Sequence, residues 1–223
     1  MMQVFDFGFA AGIFPLILKY LTVTFKMSLL SLVLGIVVAL LIALIVDAKV
    51  PILKTVSRIY ISFFRGTPLA AQLFFIYFGL IQLVPELKTL EAFSAAVIVI
   101  GLNSSAYFAE SLRGAITSVD KGQIEASLAF GMTYVQTMKR IVLPQAIRVA
   151  VPPFTNTFAD IIKGTSLAFT IGVTEIMAVA QSEAAASYKY LEAFTCVIVV
   201  YWIVNLILGF VQTKLEERLS EVY

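Results

Sequence analysis

The sequence predicts an all-α membrane protein of about five transmembrane helices. Three observations predict it. The 223 residues are 60% hydrophobic and only 13% charged, and the mean hydropathy is +0.95, far outside the range of a soluble globular domain. Apolar runs near the roughly 20 residues a helix needs to cross the hydrocarbon core recur along the chain, bounded by charge, Pro or Gly. Lysine and arginine also gather beside alternate runs. Histidine is absent and Cys196 is the lone cysteine, so an intramolecular disulfide is excluded and the commonest metal ligand and general base are missing. Hydrolytic or metal chemistry is not expected.

The first span is expected over residues 14 to 46. The start before it, MMQVFDFGFAAGIFPLILKYL, has no basic n-region and no small-residue cleavage site, so this segment is expected to stay in the protein. The second span covers residues 59 to 83 and the third 92 to 116. The fourth, 144 to 169, contains Asn156, Asp160 and Lys163 and opens with Pro144, Pro152 and Pro153. The fifth runs from 194 to 211.

The segments after the first and third spans, and the tail after the fifth, hold Lys49, Lys54, Arg58, Arg65, Arg113, Lys121, Lys139, Arg140, Arg148, Lys214 and Arg218. The opposite connections hold only Lys88 and Lys189, accompanied by Glu86, Glu91, Glu183 and Glu192. The positive-inside bias then places the amino terminus outside and the carboxyl terminus in the cytoplasm.

Between the third and fourth spans lies "EASLAFGMTYVQTMKRIVLPQA", an amphiphilic interruption on the cytoplasmic side. Residues 121 to 130 suit a short helix capped by Asp120, with Ile124 and Leu128 on one face. Gly131 permits a turn. A second short helix, about 134 to 142, carries Lys139 and Arg140, and Leu143-Pro144 is expected to end it. Pattern alone leaves two readings open: an interfacial loop lying on the headgroups, or an elbow that docks a cytoplasmic partner.

Glu125-Ala126-Ser127, Gly131, Ile141 and Leu143-Pro144 match, in spacing, the EAA motif of permease subunits of bacterial ABC importers, with Ser127 where the motif has a second alanine. The resemblance to the polar amino-acid branch extends through "FRGTPLAAQLFFIYFGL" (64 to 80), "LNSSAYFAESLRGAITSVDKGQIEA" (102 to 126), "LPQAIRVAVPPFTNTF" (143 to 158) and "KGTSLAFTIGVTE" (163 to 175). The stretches at 64 to 80 and 103 to 126 look most like permeases of the cystine-importing group.

The resemblance implies a single permease domain, residues 1 to 223, with the type I ABC importer fold in a bacterial inner membrane. It implies that a coupling segment, about 120 to 143, inserts into a groove of an ATP-hydrolysing subunit, with Gly122, Glu125, Ala126, Gly131, Ile141, Leu143 and Pro144 as its motif positions. Implied partners are two ABC ATPase subunits, a second permease subunit, identical or homologous, and an external solute-binding protein. The sequence has no G-x-x-x-x-G-K-[ST] phosphate loop, so no cofactor is expected on this chain, and ATP and Mg²⁺ are expected on the partner.

Ionisable residues inside spans are costly and usually paired or facing a wet cavity. Arg65 and Glu110 fall at similar depth on spans of opposite direction, at about 1.5 Å rise per residue, and are expected to form a structural ion pair. Asn156, Asp160 and Lys163 recur at i, i+4, i+7 on one face of the fourth span, and Asn103 reaches similar depth in the third. Two readings stay open for them: an internal Asp160–Lys163 pair, or a site for an amino acid. In the second, Lys163 attracts a carboxylate, Asp160 an ammonium, and Asn103, Asn156 and Thr157 contribute neutral hydrogen-bonding groups. The sequence departs from its relatives here. Lys163-Gly164-Thr165-Ser166-Leu167 stands where the family reads K-D-T-S-L, and Asp160 occupies a commonly apolar position.

L-cystine, with two zwitterionic ends, is the expected substrate, and arginine or another cationic amino acid comes next because of Asp160. A secondary transporter is the alternative, but it would show an internal repeat with broken helices, and no repeat is seen among the five spans. An intramembrane protease would need a second buried aspartate beside Asp160, and Asp47 sits at a membrane end.

Overall fold

A computed structural model describes residues 5–47 and 50–220; Lys49, one of the residues bearing on orientation, lies outside them. The described residues form helices and no strand. In order they are α1 (Phe7–Asp47), α2 (Pro51–Gly66), α3 (Leu69–Phe74), a π-turn (Phe75–Gly79), α4 (Leu80–Leu83), a 3-10 turn (Pro85–Thr89), α5 (Ala92–Thr117), α6 (Lys121–Ala129), α7 (Tyr134–Thr137), a π-turn (Met138–Val142), α8 (Leu143–Gly164), a 3-10 turn (Thr165–Ile171), α9 (Ile176–Ser187) and α10 (Tyr190–Ser220). Three helices, α1, α5 and α10, are each long and apolar enough to span a membrane, and the total reaches five if each of two bent pairs counts as one span.

α1 begins earlier than expected because Asp6 caps it. The Asp6 carboxylate accepts from the Phe9 N–H at 2.9 Å, and its carbonyl accepts from Ala10 at 3.1 Å, which satisfies first-turn donors. The helix then runs for 41 residues, about 60 Å at the α-helical rise, twice the hydrocarbon thickness, so it tilts or projects beyond the core.

α1 packs against α5 through glycines. A Cβ on Gly101 would meet Leu34 at 2.8 Å, and one on Gly35 would meet the Gly101 carbonyl at 3.2 Å. Such close backbone approach is how apolar helices gain contact in lipid, where no hydrophobic force drives them together. The Ser31 hydroxyl donates to the Val97 carbonyl across the same seam at 3.2 Å. Met27, Ile100 and Phe108 are fully enclosed here, and Ile161 of α8 joins the same core.

The second span, expected over residues 59 to 83, is bent within its length. α2 and the α3–α4 segment meet at 109°. Pro68 offers no N–H and pushes Thr67 into extended conformation, at φ −123° and ψ 147°, which stops α2. Gln72 then binds the exposed end: its side-chain amide donates to the Phe64 carbonyl at 3.1 Å, the Thr67 carbonyl at 3.1 Å and the Thr67 hydroxyl at 2.8 Å.

The fourth span also differs. α8 tightens into the 3-10 turn, stops at left-handed Gly172 (φ 97°), and bends by 52° into α9, which lies between the expected fourth and fifth spans. Glu175, fully buried, caps α9 by accepting from the Ala178 N–H at 3.0 Å. α9 packs with α1 and α10 in a second core around Ile17, Ile176 and Val200. α10 extends beyond the expected fifth span at both ends.

Candidate functional site: a coupling elbow and a polar cavity

Local chemistry builds the elbow almost residue by residue. The Asp120 carboxylate accepts from the Gly122 N–H at 2.6 Å and starts α6. Gly131, at φ 83°, ends it: its N–H donates to the Leu128 carbonyl at 3.0 Å, and the Met132 N–H reaches Ser127 at 3.1 Å. This left-handed cap strongly favours glycine. Thr133 and Gln136 form a reciprocal capping box that starts α7.

Two polar ties close the elbow on itself. The Ser127 and Thr137 hydroxyls lie 2.8 Å apart, and the Gln145 amide donates to the Gln123 side chain. Beneath them Ala115, Val142 and Ala146 form a small core with half-buried Ile124 and Met138. What remains outside is mixed in character. Glu125 and Ala126 are exposed, beside Leu128, Val135 and Phe130, the last 89% exposed. A rigid helical hairpin that presents a carboxylate among apolar side chains has the chemistry of a docking surface.

The exit from the elbow differs from expectation. Leu143-Pro144 does not end the second helix, which continues into α8 without a break. The π-turn over Met138–Val142, closed by the Leu143 N–H on the Met138 carbonyl, shifts the ladder at the point where Pro144 has no donor. The Gln145 side chain covers the Ile141 carbonyl at 3.0 Å. Ile141 and Leu143 are half-buried at this junction, where the elbow and α8 form one continuous helical segment.

Along α8 the structure brings some expected residues together and separates others. Asn103, Thr157 and Asp160 line one cavity of about 260 Å³, with Ser104 and Tyr107. Lys163 joins through an ion pair with Asp160 at 2.7 Å, in which both side chains are mostly exposed. Asn156 is exposed and is not part of the cavity wall. Thr157 donates to the Pro153 carbonyl at 2.9 Å, so its oxygen lone pairs remain available as acceptor. The Asn103 amide nitrogen donates to the Phe64 carbonyl and to Gln72 Oε1, both at 3.0 Å, leaving only its oxygen for other partners. Gln72 was legible as a polar residue in an apolar run, yet its role depends on a bend that spacing does not show.

Arg65 and Glu110 do not pair as expected. Glu110 holds Arg113, one turn on in α5, through two hydrogen bonds of 3.1 and 2.5 Å. Arg65 instead lies over the Tyr107 ring at 5.6 Å. An i,i+3 partner on the same helix needs no second element to be positioned, which explains the preference.

Comparison with known proteins follows the same lines. The profile of a family described as "Binding-protein-dependent transport system inner membrane component" matches residues 39–221. The chain is 49% identical over 219 residues to the probable amino-acid ABC transporter permease protein PatM of Vibrio harveyi, covering 98% of each. It is 42% identical over 203 residues to the L-cystine transport system permease protein TcyB of Bacillus subtilis, covering 88% of this chain and 83% of TcyB. Among solved structures, one titled "Crystal structure of an amino acid ABC transporter with histidines" superposes with a TM-score of 0.90 at 32% identity, over 97% of this chain and 100% of that one.

Proposed function

Because the chain belongs to the family of binding-protein-dependent transport inner membrane components, as an amino-acid ABC transporter permease subunit, we propose that it imports L-cystine across the cytoplasmic membrane. The observation that carries this reading is Asp160, a carboxylate at the wall of a polar cavity whose charge is shared with Lys163 beside it. An ammonium binds Asp160, a carboxylate binds Lys163, and the Asn103 and Thr157 oxygens accept from the substrate's remaining donors. The 42% identity to TcyB supports the same substrate.

In this reading the permease works as a pair, identical or homologous, which covers the exposed Asn156–Lys163 face. Two ATPase subunits bind the elbows around Glu125 and Gly131, and a solute-binding protein delivers substrate outside. The amino terminus faces out and the carboxyl terminus faces the cytoplasm. ATP and Mg²⁺, held by the ATPases, close that pair, and α8, continuous with the elbow, carries the movement to the cavity in alternating access.

A second substrate reading rests on one observation: among the residues lining the cavity, Asp160 is the only charged one, which favours arginine or another cationic amino acid. Uptake into vesicles that hold the permease, its ATPase and enclosed ATP and Mg²⁺, with candidate solute-binding proteins added outside and scanned over cystine, arginine, lysine, histidine, glutamine and glutamate, separates the two. Cystine uptake that needs ATP supports the first reading; arginine uptake supports the second. Uptake driven by an ion gradient without an ATPase would make the protein a secondary transporter and reject both.

A further inference from the structure

We propose that the groove between α2 and the end of α5 is a binding site for the phosphate headgroup of an anionic phospholipid, separate from the amino-acid cavity. α2 is strongly amphipathic. Ile52, Val56, Ile59 and Phe63 form one exposed apolar face, the side such a helix turns to acyl chains. Lys54, Arg58, Ile61 and Arg65, at i, i+4, i+7 and i+11, form the other. That second face lines a cavity of about 520 Å³ together with Glu110 and Arg113.

The charges in this cavity do not balance. Lys54, Arg58, Arg65 and Arg113 face one carboxylate, Glu110, and Glu110 is taken by Arg113 through two hydrogen bonds. Among the residues whose side chains are described, a set that does not include Asp47, no carboxylate lies within ion-pair distance of Lys54, Arg58 or Arg65. Three guanidinium or ammonium groups are left around this concave space beside a membrane-spanning helix. Basic pockets of this kind at membrane depth suit phosphate diesters.

Shape favours a lipid over a free anion. A second cavity of about 290 Å³ shares Val46, Lys54, Ile61 and Arg113 with the first and continues along Ile42, Ala43 and Ala109. A basic compartment that adjoins a more apolar one, with Lys54 and Arg113 on the shared wall, suits a headgroup and the first part of its acyl chain together, and a soluble phosphate would use only the first compartment.

The test is native mass spectrometry of the full-length permease, in the assembly in which it purifies, titrated with phosphatidylglycerol or phosphatidylcholine of identical acyl chains. Phosphatidylglycerol is expected to be retained selectively. The double substitution Lys54→Gln/Arg58→Gln is expected to lower its occupancy about 10- to 30-fold, from roughly a fivefold contribution per basic residue. Lys139→Gln/Arg140→Gln, which removes the same charge at the elbow, is expected to leave occupancy unchanged. Lys54→Gln alone gives an intermediate loss and serves if the double variant does not fold. Equal retention of both lipids, or unchanged occupancy in the folded pocket variants, overturns the proposal. Displacement of phosphatidylglycerol by millimolar inorganic phosphate would make the ligand a soluble anion. Crosslinking of Arg58→Cys to a second copy of the chain would make the groove a subunit interface. Either of these outcomes overturns the lipid assignment.

Discussion

Ser127 and Thr137 hold their hydroxyl oxygens 2.8 Å apart across the elbow, both shielded from solvent. Ser127 also donates to the Ile124 carbonyl, so its oxygen accepts from Thr137, and each residue completes the other's hydrogen bonding. Ser127→Ala strands the Thr137 hydroxyl and is expected to cost about 1–2 kcal/mol. Ser127→Ala/Thr137→Val, which removes both polar groups, is expected to recover most of that loss. Thermal unfolding of the four proteins in a double-mutant cycle measures the coupling.

Gly131 is expected to tolerate substitution poorly, although open space surrounds it. Its φ of 83° lies in the left-handed region, where a Cβ costs about 1–2 kcal/mol. Gly131→Ala should lower transport and Gly131→Asn should lower it less, because Asn visits this conformation more readily. Initial uptake rates at equal membrane abundance check the order.

Gln72 joins the broken second span to α5. It donates to Phe64 and Thr67 and accepts from Asn103. Gln72→Leu leaves the Phe64 and Thr67 carbonyls and an Asn103 donor short of partners, and is expected to cost about 1–3 kcal/mol. Asn103→Leu should be comparably destabilising. Melting temperatures in detergent check both, and substrate affinity measured alongside shows whether the Asn103 oxygen also contributes to binding.

Near the amino terminus, Lys189 hydrogen-bonds the Asp6 carboxylate and holds its pKa below the ordinary value of 3.8. The Asp6 N–H also donates to Glu192 at 2.8 Å, so this corner ties the start of α1 to the start of α10. A carboxyl whose pKa is depressed by folding stabilises above its unfolded value and loses that contribution as pH falls through the folded one. Hydrogen-exchange protection at Phe9 and Ala10 is therefore expected to hold above about pH 5 and to decline below the ordinary value. In Lys189→Ala the decline should shift to higher pH.

The apolar runs made the helical membrane class legible, and the caps at Asp120 and Gly131 made the elbow legible, because both are local. What the sequence left hidden depends on bends. Pro68 stands in the sequence, but the 109° bend that it begins depends on how Gln72 and Asn103 bind the freed backbone. α9 was missed because its polar residues resemble a connection until buried Glu175 is seen to cap it. The Arg65–Glu110 pairing failed because depth alone cannot compete with Arg113, already one turn away on the same helix. Pro144 ended no helix, since a π-turn accommodated it.

In the proposed function, the elbow transmits ATP hydrolysis to the membrane helices. The most direct measurement is substrate-stimulated ATP hydrolysis in vesicles containing the ATPase with wild-type permease, Glu125→Ala or Gly131→Pro. Wild type is expected to show stimulation by substrate and its binding protein, while both variants insert normally but lose stimulation and uptake together. Full stimulation and full transport by both variants would contradict the claim.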